Sequence, residues 1–235
     1  MTNPLYLAMT AQEISNTAAL PAHMGWMACH FAPGGTGLTD LPQVPVPGSI
    51  LIVNDRFPVE NHGEDVVFDT LSKYLRGVSC RGILLDFQRP ENAATAAIVR
   101  ALQSLPCPVC VTEPYAKMTK GPVFVSAPAP HRPPEAYLAP WAGREIWLEI
   151  SSEAECCVLT EAGCEIMPAA SADWDAPVHA EPHLCCHYRI RTGENRAEFY
   201  LYRTKEDILS LMEQCSRHGA ALSMGLWQEL HEMMG

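Results

Sequence analysis

The chain has 235 residues, 48% of them hydrophobic and 18% charged, a balance that suits one folded domain with a sizeable core and excludes a disordered tail-like protein. Its formal net charge is −11, and no cluster of Lys and Arg stands out, which argues against a nucleic-acid backbone or an anionic membrane surface as partner. No apolar run is long enough to span a bilayer.

Eight short apolar runs punctuate the chain. In order they are "PLYLAMTA" (4–11), "GWMACHFA" (25–32), "SILIVNDRFP" (49–58), "GILLDFQRP" (82–90), "CPVCVTEPY" (107–115), "PVFVSAPAP" (122–130), "REIWLEISS" (144–152) and "ALSMGLWQEL" (221–230). Each ends in polar or proline-rich sequence. Runs of this length bounded by turn signals suit strands buried on both faces, as in parallel sheets.

Helical periodicity lies between some of them. Val67, Leu71 and Tyr74 recur at i, i+4, i+7 within 63–75, and Ile98, Leu102 and Leu105 do so within 90–105, where Pro90 suits a first turn. Ile208, Leu211, Met212 and Cys215 form a stripe in 204–219, with Thr204 and Asp207 spaced as a capping box and Gly219 as a stop. Between 152 and 203 the pattern changes to two expected antiparallel hairpins, the clearer one turning at "TGEN" (192–195).

Eight buried strands with intervening helices imply an α/β architecture. The first expectation is a reduced (β/α)8 TIM-like barrel with several helices missing. In it, 1–235 forms a single barrel domain and 152–203 a β-hairpin insertion near the C-terminus. An open doubly wound sheet is the alternative, but no glycine-rich phosphate loop supports it. "GGTG" at 34–37 lacks the Lys-Ser/Thr that a nucleotide loop needs.

In a β/α barrel, function gathers at the C-terminal ends of the strands. Those ends carry Cys29 and His30; Asn54, Asp55 and Arg56; Asp86 and Gln88; Glu113 and Tyr115; Ser126; Glu149; and Trp227 with Gln228. The result is a polar ring over an apolar interior.

One strand is specific enough to suggest a family. "GILLDFQ" (82–88) resembles the fourth barrel strand of family 18 glycoside hydrolases, the chitinase-like proteins, which reads D-G-x-D-x-D-x-E. There the glutamate is the general acid, and the aspartate two residues before it positions the 2-acetamido group that attacks the anomeric carbon. Gly82 matches the glycine, Asp86 the last aspartate, and Phe87 the aromatic residue between. Trp227 is similar to the tryptophan that floors the sugar site on the eighth strand of that family, and the hairpins resemble an insertion some members carry. The departures are Arg81 and Leu84 at the first two aspartates and Gln88 at the acid. An amide binds an oxygen but donates no catalytic proton at neutral pH. No Tyr-Asp pair follows the sixth strand.

Other constellations have plainer readings. "HLCCHY" (183–188) would place His183, Cys185 and His187 on one strand face, but alternate side chains of a straight strand do not converge on a metal. "CPVC" (107–110) leads into a strand rather than a helix and reads as core thiols. Cys29 and His30 are strand neighbours facing opposite ways, so a nucleophile–base dyad there is disfavoured. The N-terminal stretch lacks the basic start and apolar core of a secretion signal. Together with ten cysteines, this gives the expectation of a reducing cytoplasm.

The sequence therefore leads to a chitinase-like barrel that binds a saccharide or similar polar ligand and lacks the usual acid. Asp86, Glu113 and Asp55 are the candidate catalytic groups, and Gln88, Trp227, His30, Tyr115 and Glu149 the candidate ligand contacts. No cofactor or metal is expected. The alternatives are a hydrolase or lyase of another class using Asp55, Glu113 or His30, or a non-catalytic partner-binding protein.

Overall fold

A computed structural model describes residues 3–33, 36–43, 46–60, 63–169 and 175–234. Gly34 and Gly35 of the "GGTG" segment lie outside the described residues.

In chain order, β1 (Leu5–Met9) leads into the short α1 (Ala11–Asn16), then β2 (Met24–Phe31), β3 (Leu38–Thr39), β4 (Ile50–Asn54), α2 (Glu64–Arg76), β5 (Gly82–Asp86), α3 (Ala93–Leu102) and β6 (Val109–Thr112). A 3₁₀ turn over Glu113–Met118 precedes β7 (Val123–Val125), α4 (Pro134–Leu138) and β8 (Ile146–Glu149). Five further strands follow: β9 (Ala154–Thr160), β10 (Gly163–Ala169), β11 (His179–Glu181), β12 (Cys186–Gly193) and β13 (Arg196–Tyr202). The chain closes with α5 (Lys205–Arg217), β14 (Ala220–Leu226) and α6 (Trp227–Met234).

β1, β2, β4, β5, β6, β7, β8 and β14 pair in parallel in that order, and β14 returns to β1, so the barrel is closed. All eight expected strands are present. β3 is an added antiparallel edge on β2, with His30 opposite Thr39. The two expected hairpins become a five-stranded antiparallel sheet in the order β10-β9-β13-β12-β11. This sheet leans on the barrel loop after β7, where Cys186 Sγ–H reaches the Pro130 carbonyl at 3.5 Å and His131 Nδ1 pairs with Glu155 at 2.8 Å.

The helices form where local signals agree. Asn92 and Thr95 cap α3 reciprocally, as Thr204 and Asp207 cap α5. α3 begins at Ala93, so Pro90 precedes the helix rather than occupying its first turn. α2 has Glu64 and Asp65 in its first turn and Lys73 and Arg76 in its last, complementing the helix dipole.

Side-chain alternation sorts the barrel strands into two cores. Ile83, Leu85, Leu51 and Val53 face outward and pack with Val67, Leu71, Ile98 and Leu102 of α2 and α3. Leu84, Ile50, Ile52, Tyr6, Leu222, Met224 and Trp147 fill the interior. Trp147, fully buried, is the floor. Gly82 makes room for it: a Cβ there would lie 2.7 Å from the Trp147 ring and 2.8 Å from the Pro108 carbonyl oxygen.

All ten cysteines are free thiols. Cys110 is buried, and burial holds its thiol well above the usual range; Cys107 is pushed up to about 11 by the same cause. "HLCCHY" is not one strand. His183 and Cys185 sit in a turn, Cys185 with φ +49°, and β12 starts at Cys186. His187 Nδ1 pairs with Asp207 at 2.6 Å, tying the hairpin sheet to the α5 cap. Among the described residues no group of three or more His, Cys, Asp or Glu could hold a metal ion, and no helix is long and apolar enough to cross a membrane.

Candidate functional site

The C-terminal mouth of the barrel holds a cavity of about 280 Å³. Its base is apolar, made by Ala8, Met27, Ile52, Leu84, Phe124 and Met224 from six strands. Its polar side is Asp86, Gln88, Thr112, Glu113, Ser126 and Glu149. Alternation explains the entry of Asp86: Gly82, Leu84 and Asp86 share the inward face of β5, above the tryptophan floor. By the same parity Trp147 and Glu149 share the inward face of β8.

The polar side chains are tied together in pairs. The Gln88 Nε2–H donates to Asp86 Oδ1 at 2.6 Å. The Ser126 hydroxyl donates to Glu113 Oε2 at 3.2 Å. The backbone N–H of Ala127 donates to Glu149 Oε2 at 3.1 Å, and the Thr112 hydroxyl donates to the Phe87 carbonyl at 2.7 Å. Burial raises the Asp86 carboxyl above the ordinary carboxylate range; the Gln88 hydrogen bond opposes this, and the charge of Asp55 adds to it. Burial likewise raises Glu149, against the Ala127 hydrogen bond, with Asp86, Glu229 and Glu153 adding repulsion. The charge of Asp86 thus reaches Glu149 across one partly desolvated space.

Four of the expected site residues, Asp86, Gln88, Glu113 and Glu149, meet in this cavity, and four lie elsewhere. Asp55 follows β4 on the outward parity and is buried. Its carboxylate accepts the backbone N–H groups of Gln88 at 3.0 Å and Arg89 at 2.9 Å, so it fixes the turn that carries Gln88. Tyr115 is carried inward by the 3₁₀ turn and is fully buried. It packs edge-on against Phe87 with centroids 5.3 Å apart, and its hydroxyl donates to the Arg89 carbonyl at 3.0 Å.

His30 and Trp227 lie in neighbouring open grooves. A register shift between Trp26 and Cys29 takes the end of β2 out of phase. His30 consequently faces a groove with Trp26, Asp40, Asn54 and Arg56, where its Nε2 meets the Thr39 hydroxyl at 3.0 Å. Trp227 opens α6 instead of ending β14; it stacks on His231 at 4.7 Å and borders a groove along α1 with Thr10 and Glu13. Both grooves share Thr10, and the first shares Met27 with the central cavity.

The closed barrel with its C-terminal cavity matches solved structures across nearly the whole chain. The fold is that of the chitinase-like barrels. The Bacillus cereus spore cortex-lytic enzyme SleL aligns with a TM-score of 0.59 at 10% identity, over 95% of this chain and 70% of that one. The chitinase-like agglutinin of Robinia pseudoacacia aligns at 0.58 and 10% identity, over 94% and 93%. A class V chitinase of Nicotiana tobaccum, solved as a glutamate-to-glutamine mutant in complex with NAG4, aligns at 0.57 and 11% identity, over 95% and 93%. No family model matches the sequence, and no curated protein matches it.

Proposed function

We propose that this chitinase-like barrel binds a saccharide at its C-terminal mouth and lacks the general acid of its structural relatives. The observation that carries the reading is the cavity that brings Asp86 and Gln88 together at the end of β5 in a chitinase-like fold. Apolar walls below a few converging polar groups are the usual make-up of a small-molecule site. The Gln88 amide sits where the resemblance calls for a carboxylic acid, and an amide holds its protons at any pH of interest. Two of the similar structures support the saccharide reading: the chitinases of Nicotiana tobaccum and Cycas revoluta were both solved as mutants in complex with tetrasaccharides. Ten free thiols favour a reducing, cytoplasmic setting.

Calorimetric titration with a panel of amino-sugar, N-acetylated and neutral oligosaccharides tests the reading. Binding by at least one class, lost in Asp86→Ala and unaccompanied by release of reducing ends, is the expected result. A chain that binds no sugar overturns it. Glu113 and Glu149 in the same cavity favour one rival, hydrolysis by a different carboxyl pair. Release of reducing ends that disappears in Glu113→Gln or Glu149→Gln would establish that rival.

A further inference from the structure

The hydrogen-bonding inventory of the mouth bears on which saccharide it takes, an inference that rests on the binding reading above. The side-chain donors among the described residues lining the cavity are nearly exhausted. The Thr112 hydroxyl is spent on the Phe87 carbonyl, and the Ser126 hydroxyl on Glu113. One N–H of the Gln88 amide is spent on Asp86, and the other remains. The acceptors are in surplus, because Asp86 Oδ2, Glu113 Oε1 and Glu149 Oε1 are left over after those pairings. No Lys, Arg or His is among the described residues lining the cavity. A ligand that completes this site brings donors and positive charge to these open oxygens, because a polar atom taken out of water without a partner is costly.

We infer that the mouth selects a sugar bearing a free amine, a glucosamine-type unit with its 2-amino group protonated, over the N-acetylated form. An ammonium offers three donors and one positive charge to the carboxylate oxygens that line this cavity, and charge-assisted bonds of this kind are about twice as strong as neutral ones. An acetamido group offers one donor and adds a carbonyl acceptor, for which the second N–H of Gln88 is the open side-chain donor among the described lining residues. Burial disfavours the charged forms of Asp86 and Glu149, and a bound cation at the mouth would favour them.

The experiment is a calorimetric titration of the full chain with glucosamine tetramer and with N-acetylglucosamine tetramer, at a pH where the amine is protonated. Glu149→Gln and Glu113→Gln are titrated in parallel. Glu165→Gln, which removes the same charge from the exposed strand β10, serves as control, and thermal unfolding checks that each variant folds. The expected result is a Kd for the free-amine tetramer at least about tenfold lower than for the acetylated one. That ratio falls in both cavity variants and is kept in the control. Equal or tighter binding of the acetylated tetramer overturns the inference while leaving the saccharide reading standing. A ratio that survives both cavity variants also overturns it, since attraction to the chain's overall negative charge then suffices. Binding of neither tetramer, nor of any neutral sugar, overturns both.

Discussion

The two ends of the barrel interior are built by the same faces of the same strands and are opposite in character. At the floor, Gly82 and Trp147 meet so closely that a single added carbon would collide. At the mouth, the last inward positions on those strands are Asp86 and Glu149, facing a cavity. β5 passes from glycine through leucine to aspartate in five residues. Packing density decides the residue at the lower end, whereas at the upper end two carboxyls are held in a partly desolvated space that packing alone would never choose. Stability resides in the floor, and the mouth draws on it.

Trp147→Ala is the strongest test of that division. It empties the floor and should cost about 3–5 kcal/mol, or on the order of 10 °C in melting temperature for a chain of this size. If thermal unfolding shows a loss of only a degree or two, the interior is not the source of stability.

Asp55→Ala comes next and probes the link between the two ends. Asp55 touches no part of the cavity, yet its carboxylate holds the backbone of Gln88 and Arg89 from a buried position. Losing charge-assisted bonds and stranding two N–H groups should cost about 2–4 kcal/mol. Ligand affinity, read by calorimetry, should fall as well, because the Gln88 turn loosens. Asp55→Asn, which keeps one acceptor, should recover part of both. An affinity unchanged in Asp55→Ala would show that the Gln88 turn is held by something else.

Gly82→Ala is a milder intrusion at the floor. It forces Trp147 and the Pro108 carbonyl apart, at about 1–3 kcal/mol, measurable as a shift in urea midpoint. A neutral result would mean that the tryptophan floor has slack.

Strand parity is what made most of this legible in the sequence, and breaks in parity are where the sequence misled. Most positions of the eight barrel strands are buried on both faces, so each strand reads as an apolar run with polar punctuation. Asp86 and Glu149 fall in phase with the interior residues two positions before them. Asp55 is one residue out of phase with Ile50, Ile52 and Asn54, a signal that was present and pointed outward. The apolar runs carry on to Tyr115 and Trp227, but β6 stops at Thr112 and β14 at Leu226. Pro114 sits in the first turn of the 3₁₀ segment that buries the tyrosine. At Gly225 a Cβ would stand 2.3 Å from Leu230 and 2.7 Å from the Ile150 carbonyl oxygen, so α6 folds back tightly and carries Trp227 away to α1. No local pattern marks the shift in β2 that diverts His30, because it arises between strands rather than within one.

The smallest expected effect is also the most discriminating, because its sign is opposite to that of ordinary core damage. Asp86→Asn keeps an oxygen to accept the Gln88 N–H and removes a carboxyl whose charged form is disfavoured by burial. A carboxyl raised in the folded state binds its proton more tightly there than in the unfolded chain. The wild type is therefore relatively most stable below the unfolded value, and loses that increment as pH rises through the raised folded value. Asparagine has no such loss. At neutral pH the variant should melt a few degrees higher than wild type, with about 2–4 °C corresponding to each kcal/mol. The gap should close on acidification through the carboxylate range. Glu149→Gln should behave the same way, since its carboxyl is raised by burial and by Asp86. Melting curves of wild type and both variants across that pH range decide the matter. If the variants melt lower than wild type at neutral pH, the two carboxylates hold the barrel together and the mouth is not a site maintained at the expense of stability. If they melt higher and lose ligand binding, the carboxylates are kept for the ligand.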